Sequence, residues 1–481
     1  MAKASGSIKR GLLVLSGLVF VLIALVILAL LYLGIPQNAA GMAAKGVCSA
    51  AFVAGRPWQK LIADDVLPAS PVLGLIRVTV DENARAVTAT FAGLFARQAA
   101  LLPDRGCVLD GVAASAAAAS ASAAKRPNRE ADQPWPQGEA ALPVTQWGPG
   151  VDAVALQKLL DQAFVGAGDP TAANARAVAI IHKGRLLVLR TAPGFLPGTP
   201  LHGWSMAKTV TGMLMYKLAA DTHLSLDSAV VDAFSRAREP AWVAAWRTDG
   251  RKNIKVSDLL YMRDGLASTE DYEPWGSVPN MLWGQPNVAA FAAASPAQAA
   301  AGTRWRYLSA TANLMAGVAR GRFTSDADYW TYPAKALFEP IGATSAVMET
   351  DSDGNWVGSS YVWASAGDWG RLGQLMLNDG RWGDTQVLPP GWLKRAATPS
   401  TEQGEGQGYG AHTWRIGNPV AGECKGYGLP VDALSMSGHW GQVVAVVPSR
   451  EAVIVRLGWT FKRRQFDACA FVAAALRALP P

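Results

Sequence analysis

A chain of 481 residues, half of them hydrophobic, exceeds one ordinary domain and can bury a large core, which excludes a disordered or purely fibrous protein. The formal net charge of +7 is modest for that length. Two basic groups, Lys125-Arg126 with Arg129 and Lys462-Arg463-Arg464, carry no interleaved aromatic platform and sit on no binding motif, so they read as solvated charge and imply no nucleic-acid partner.

Residues 1–10, with Lys3, Lys9 and Arg10, read as a short cytoplasmic tail. Residues 11–35 contain no charge, are rich in Leu, Val and Ile, and exceed the roughly 20 residues that span a bilayer. Three basic residues ahead of this run, against Lys45 alone shortly behind it, predict a single-pass transmembrane helix with the bulk of the chain on the periplasmic side. A cleaved signal peptide is the alternative, with Asn38-Ala39-Ala40-Gly41 as its site, but the length of the run favours an uncleaved anchor. Four cysteines, none in a CxxC or Cys/His metal pattern, suit an oxidising compartment. Three pairings are possible; we expect Cys48 with Cys107 and Cys424 with Cys469, each closing a loop worth about 4 kcal/mol. Val47 stands where a lipoprotein box needs a small residue, so Cys48 is no lipidation site.

Residues 45–112 are expected to form a small cysteine-bearing module, with Leu73–Val80 and Ala86–Phe91 as strands about a turn at Asp81-Glu82-Asn83. Residues 113–141, alanine- and serine-rich and then charged, read as a flexible linker. A globular region covers residues 142–481. It opens with an amphipathic helix over 151–165 and a hairpin of 177–182 and 186–190 around Lys183-Gly184. It closes with a hairpin of 443–447 and 452–457 and a helix over 466–479, and helical patterns such as 365–378 lie between. The expected architecture is α+β: a mainly antiparallel sheet built from both ends of the region, flanked by helices, with a mostly helical insertion.

The chemistry-bearing stretch is Trp204-Ser205-Met206-Ala207-Lys208, which opens a long apolar run at helical spacing and so puts Ser205 and Lys208 on one face of a first turn. An amine kept partly desolvated there can take the serine proton without a histidine. The tetrad SxxK is weak evidence alone, and a second copy, Ser122-Ala123-Ala124-Lys125, lies in the alanine-serine tract. Two further segments strengthen it. Tyr307, in Arg304-Trp305-Arg306-Tyr307-Leu308-Ser309, follows a loop and precedes a helical run, and Ser437-Gly438-His439-Trp440-Gly441-Gln442 enters a strand where glycine permits close backbone approach to a carbonyl. A Ser-His-Asp nucleophile elbow needs a strand directly before Ser205; the two prolines and the glycine of 195–202 speak against one, and that fold is rejected.

SxxK, then a tyrosine in a YxS setting, then an HxG segment opening the last hairpin, in this order, resembles the serine beta-lactamase and penicillin-binding superfamily. Gly203–Lys208, Leu259–Leu266 and Gly438–Gln442 are similar to the class C related branch of 6-aminohexanoate-dimer hydrolases and esterases, over residues 142–481. The resemblance implies a beta-lactamase/transpeptidase-like fold with Ser205 as the acylated nucleophile, Lys208 as the amine that activates it and Tyr307 as the proton shuttle. It also implies an oxyanion hole from the backbone amides of Ser205 and Gln442, with His439, Gly441, Tyr272 and Ser309 in substrate binding. His439 stands where penicillin-binding proteins carry the lysine of KTG, which speaks against efficient beta-lactam hydrolysis, and Ser309 replaces the asparagine of YxN. No separate glutamate motif for deacylation is apparent. His182, His202, His223 and His412 show no metal-ligand spacing, and neither metal nor organic cofactor is required. The expected function is a membrane-anchored serine hydrolase of a small amide or ester. A beta-lactamase or D-alanyl-D-alanine peptidase is the alternative enzyme, and a non-catalytic envelope binding protein the alternative outside enzymes.

Overall fold

The computed structural model describes residues 2–111, 133–234, 238–402, 404–462 and 465–481, and α1 by its backbone alone at 2–11, 23, 26 and 27. The second SxxK copy, the Lys125-Arg126-Arg129 group, Arg463-Arg464 and most of the expected linker lie outside these residues. The remainder of that linker, 133–141, is packed structure: Trp135 is buried, and the carbonyls of Pro136 and Gly138 accept from the Arg371 guanidinium.

The chain begins with α1 (Ala2–Tyr32) and α2 (Ile35–Cys48), followed by β1 (Ile76–Asp81), β2 (Ala86–Phe91), β3 (Leu94–Leu102) and β4 (Gly106–Leu109), a four-stranded antiparallel sheet in sequence order. The catalytic region follows with α3 (Ala153–Ala163), β5 (Ala175–His182), β6 (Arg185–Thr191), β7 (Leu201–His202), α4 (Met206–Asp221), α5 (Ser309–Arg320), β8 (Val347–Met348), β9 (Val362–Ala364) and α6 (Ala366–Leu377). It ends with β10 (Leu434–Gly438), β11 (Gln442–Val447), β12 (Ala452–Gly458) and α7 (Ala468–Arg477). Its main sheet has the order β10-β11-β12-β5-β6 and every neighbour is antiparallel, so strands from both ends of the region do meet.

Both faces of this sheet are covered, which is why its strands read as near-continuous apolar runs. Ile181, Val444, Val453 and Val455 pack on the face that carries α6, and Val178, Ile180, Val443 and Ile454 pack on the face that carries α3 and α7. Helix α6 lies close because Gly370 and Gly373 have no side chain there; a Cβ would come within 2.6 Å of Ile181 and 2.5 Å of Val453. Helix α4 is buried on nearly every face, so it can hold Ser205 and Lys208 in a rigid frame.

The N-terminal part departs most from expectation. The helix in the expected anchor ends at Tyr32; the chain turns at Gly34, φ +68, and Ile35 already belongs to the buried α2. Most described side chains of α1, Leu12, Leu18 and Phe20 among them, are exposed, and among the described residues no helix is long and apolar enough to cross a membrane. The expected signal-peptidase site, Asn38–Gly41, lies buried within α2. Helix α2 packs against β2 and β3, and the core they form runs on into that of the catalytic region. Both expected disulfides are present, Cys48–Cys107 tying α2 to β4 and Cys424–Cys469 tying a loop to α7. Lys45 is no flanking surface charge: it is 2% exposed and bonded to Glu349 at 3.0 Å.

Candidate active site

A short strand, β7, does precede the nucleophile, contrary to the sequence expectation, because pairing with β9 holds Leu201–His202 extended in spite of the prolines upstream. The strained residue is Trp204, φ +48, not the serine, whose φ of −63° is helical. The turn leaves Ser205 half-buried at the head of α4 while Met206 to Thr211 are covered.

Three residues on, the Lys208 side chain lies beside it. Lys208 Nζ is 3.0 Å from Ser205 Oγ, 3.0 Å from Ser309 Oγ and 3.1 Å from the Ser359 carbonyl, and the residue is 1% exposed. Two hydroxyls and a carbonyl compensate an ammonium poorly, so burial lowers the lysine pKa to about 8, partly opposed by Glu270. A neutral amine is therefore accessible near neutral pH, with its lone pair available to the serine proton.

Tyr307 and Tyr272 both face the Ser205 hydroxyl. The Tyr307 ring lies 4.8 Å from Lys208 Nζ and against Trp414 and Tyr409, and desolvation raises its pKa well above the ordinary phenol value. Tyr307 is thus a protonated phenol at neutral pH, able to donate. Tyr272 stacks on His439, with ring centroids 4.8 Å apart and planes 7° from parallel. His439 also meets Trp204 edge-on at 5.4 Å, and burial lowers its pKa to about 4, so its imidazole is neutral at neutral pH.

The turn from β10 to β11 forms the other wall. At Gly438 the backbone passes so close to Gly203 that a Cβ would sit 2.2 Å from the Gly203 carbonyl oxygen, which brings the end of β10 against the residues leading to Ser205. The Gln442 side chain donates to the carbonyls of His439 at 3.0 Å and Trp440 at 3.2 Å and accepts from Gly458 N–H at 3.0 Å, so it braces the turn. The Gly441 carbonyl, at a residue with φ +82, accepts from the buried Arg456 guanidinium at 2.8 Å.

Sequence reasoning missed Glu270. Its carboxylate accepts from Ser309 Oγ at 2.7 Å, Ser309 N–H at 2.6 Å and Tyr272 OH at 3.3 Å, which makes a chain Glu270–Ser309–Lys208 behind the nucleophile. Ser309, expected to take part in substrate binding, is fully buried and links Glu270 to the lysine by hydrogen bonds. The only signal in the sequence was Glu270 standing two residues before Tyr272. Because Glu270 holds the Lys208 pKa up, Glu270→Gln is expected to move the inflection in Ser205 labelling to lower pH; a pH–rate profile checks this, and an inflection unmoved or moved upward would contradict the coupling.

Against this geometry stands a match of residues 160–477 to the beta-lactamase family. The chain belongs to that family, and with it to the serine hydrolases. Among solved structures, a "putative beta-lactamase" from Bacteroides dorei DSM 17855 aligns with a TM-score of 0.52 at 14% identity, over 66% of this chain and 95% of its own. A "putative 6-aminohexanoate-dimer hydrolase" from Bacillus anthracis aligns at 0.49 and 19% identity, over 64% and 76%, and a penicillin-binding protein homologue from Caulobacter crescentus at 0.49 and 16%, over 68% and 97%. Identities this low speak to the fold alone. No match was found among curated proteins.

Proposed function

We propose that this beta-lactamase-family chain cleaves a small amide or ester through an acyl-enzyme on Ser205. The observation that carries the reading is the desolvated Lys208 amine 3.0 Å from Ser205 Oγ. In this reading Lys208 takes the serine proton as Oγ attacks the carbonyl, and the oxyanion is met by the backbone amides of Ser205 and Gln442. Tyr307 protonates the leaving group and recovers a proton from the lysine ammonium, and water then repeats the sequence on the ester. The neutral His439 supports a substrate without an obligatory carboxylate, and so an amide or ester in preference to cell-wall peptides.

The test is intact mass after treatment with a fluorophosphonate. One adduct, absent from Ser205→Ala, is expected; a folded wild type that takes up none would overturn the assignment and favour a binding role.

The same proposal places the enzyme at a membrane with its body outside the cytoplasm. It draws support from the uncharged run over 11–35, the exposed apolar side chains of α1 and two disulfides. Retention in the membrane fraction after alkaline carbonate is expected, and full release would refute it.

A further inference from the structure

Two spaces flank the site, and they differ in kind. On the Tyr307 side an open groove of about 1080 Å³ is lined by charged residues that include Arg263, Glu270, Arg304 and Glu402. A second space, a cavity of about 110 Å³, is bordered by Trp204, Tyr272 and His439. Its far wall does not come from the catalytic region. Ala39 and Met42 of α2, with Val72 and Leu73 from the segment before β1, close it.

We propose that the N-terminal module is a structural wall of the substrate site, and that the cavity it closes receives a slim, unbranched, apolar acyl chain. The proposal rests on the serine hydrolase reading above and adds the class of substrate. A leaving group protonated by Tyr307 departs into the groove on that side, which is open and polar. The acyl part remains bound to Ser205 and extends into the second space, where Trp204 and the Tyr272–His439 stack border the cavity. Pockets for drug-sized ligands measure about 300–1,000 Å³. A space of about 110 Å³ admits neither a bicyclic ring nor a peptide, but it does admit a short alkyl chain. Two buried polar atoms of its lining residues, Asn38 Oδ1 and Trp204 Nε1, have no hydrogen-bond partner among the described residues.

The module is fixed in this position by more than contact. Cys48–Cys107 ties α2 to β4 within the module, and the buried Glu349 carboxylate of the catalytic region accepts from Lys45, Ser49 and the Cys107 amide. The wall is therefore rigid, and chain length is read against it.

The test measures kcat/KM of the full chain on p-nitrophenyl esters from acetate to decanoate, for wild type, Met42→Trp and Met42→Ala. The wild type is expected to prefer short chains of about four to six carbons and to fall at least tenfold by decanoate. Met42→Trp should shift the optimum to acetate with acetate hydrolysis retained, and Met42→Ala should extend it by about two carbons. Met42 is partly exposed, and Val72→Trp with Val72→Ala repeats the comparison should either variant fail to fold. A length profile identical in wild type and all folded variants overturns the wall, whereas a wild type that cleaves no ester and takes no fluorophosphonate overturns the hydrolase reading on which it rests.

Discussion

Replacing Ser205 by alanine is expected to lower kcat/KM by about 10⁴- to 10⁶-fold, because the reaction then loses its covalent route and retains only binding and oxyanion contacts. Lys208→Met should cost about 10²- to 10⁴-fold, the range of a general base. The informative variant is Lys208→Arg. It keeps a positive charge at the head of α4 but never yields a proton acceptor at accessible pH, so it should be as inactive as the methionine. If the lysine served only as a charge, arginine would preserve activity. In the wild type, burial lowers the Lys208 pKa to about 8, and in the proposed mechanism the neutral amine is the active form. The rate should therefore climb about tenfold per pH unit below 8 and level off above it. A profile flat from pH 5 to 9 would contradict the assignment of Lys208 as base.

How much of this site could be read in the chain depends on how local each part is. Ser205 and Lys208 lie within one helical turn, so their meeting follows from spacing alone, and Lys208 is found 3.0 Å from the hydroxyl. The two hairpins at the ends of the catalytic region are local as well, and their joining into one sheet follows from their needing a shared core. Cysteine pairing by segment also held. What was not legible depends on contacts far apart in sequence. Glu270 acts on Lys208 only through Ser309, and nothing in the residues around 270 announces that partner. Strand β7 exists because Val362–Ala364 arrives to pair with it, overriding the local signal of two prolines and a glycine. The N-terminal module looked separable because a composition shift at 113 marks a linker; only the fold brings Ala39 and Met42 beside Trp204. Lys45 illustrates the same limit, since a charge close behind an apolar run reads as a flank and is instead among the most buried side chains of the molecule.

That lysine carries the second large effect. Glu349→Ala is expected to destabilise the folded protein by about 3–5 kcal/mol, the cost of leaving a buried charge without its partner. The carboxylate has no exposed surface and accepts from Lys45 Nζ at 3.0 Å, Ser49 Oγ at 2.9 Å and the Cys107 amide at 2.8 Å, so one truncation takes a partner from three donors at once and leaves the Lys45 ammonium with the Cys107 carbonyl but no counter-charge. Gly106, φ +65, leaves room for it, since a Cβ there would lie 2.6 Å from Glu349 Cγ. Burial already lowers the Lys45 pKa against the pull of Glu349, and without the carboxylate the lysine should lose its proton or leave the interior. Lys45→Met combined with Glu349→Leu removes the charge and its partner together and should recover most of the loss, as apolar replacements of buried pairs do. Denaturant midpoints of the three proteins check the pattern, and an unchanged midpoint for Glu349→Ala would show that the pair does not dock the module. Loosening the dock should also blur the chain-length preference while short esters are still cleaved, because Ser205 and Lys208 are held by α4 and not by the module.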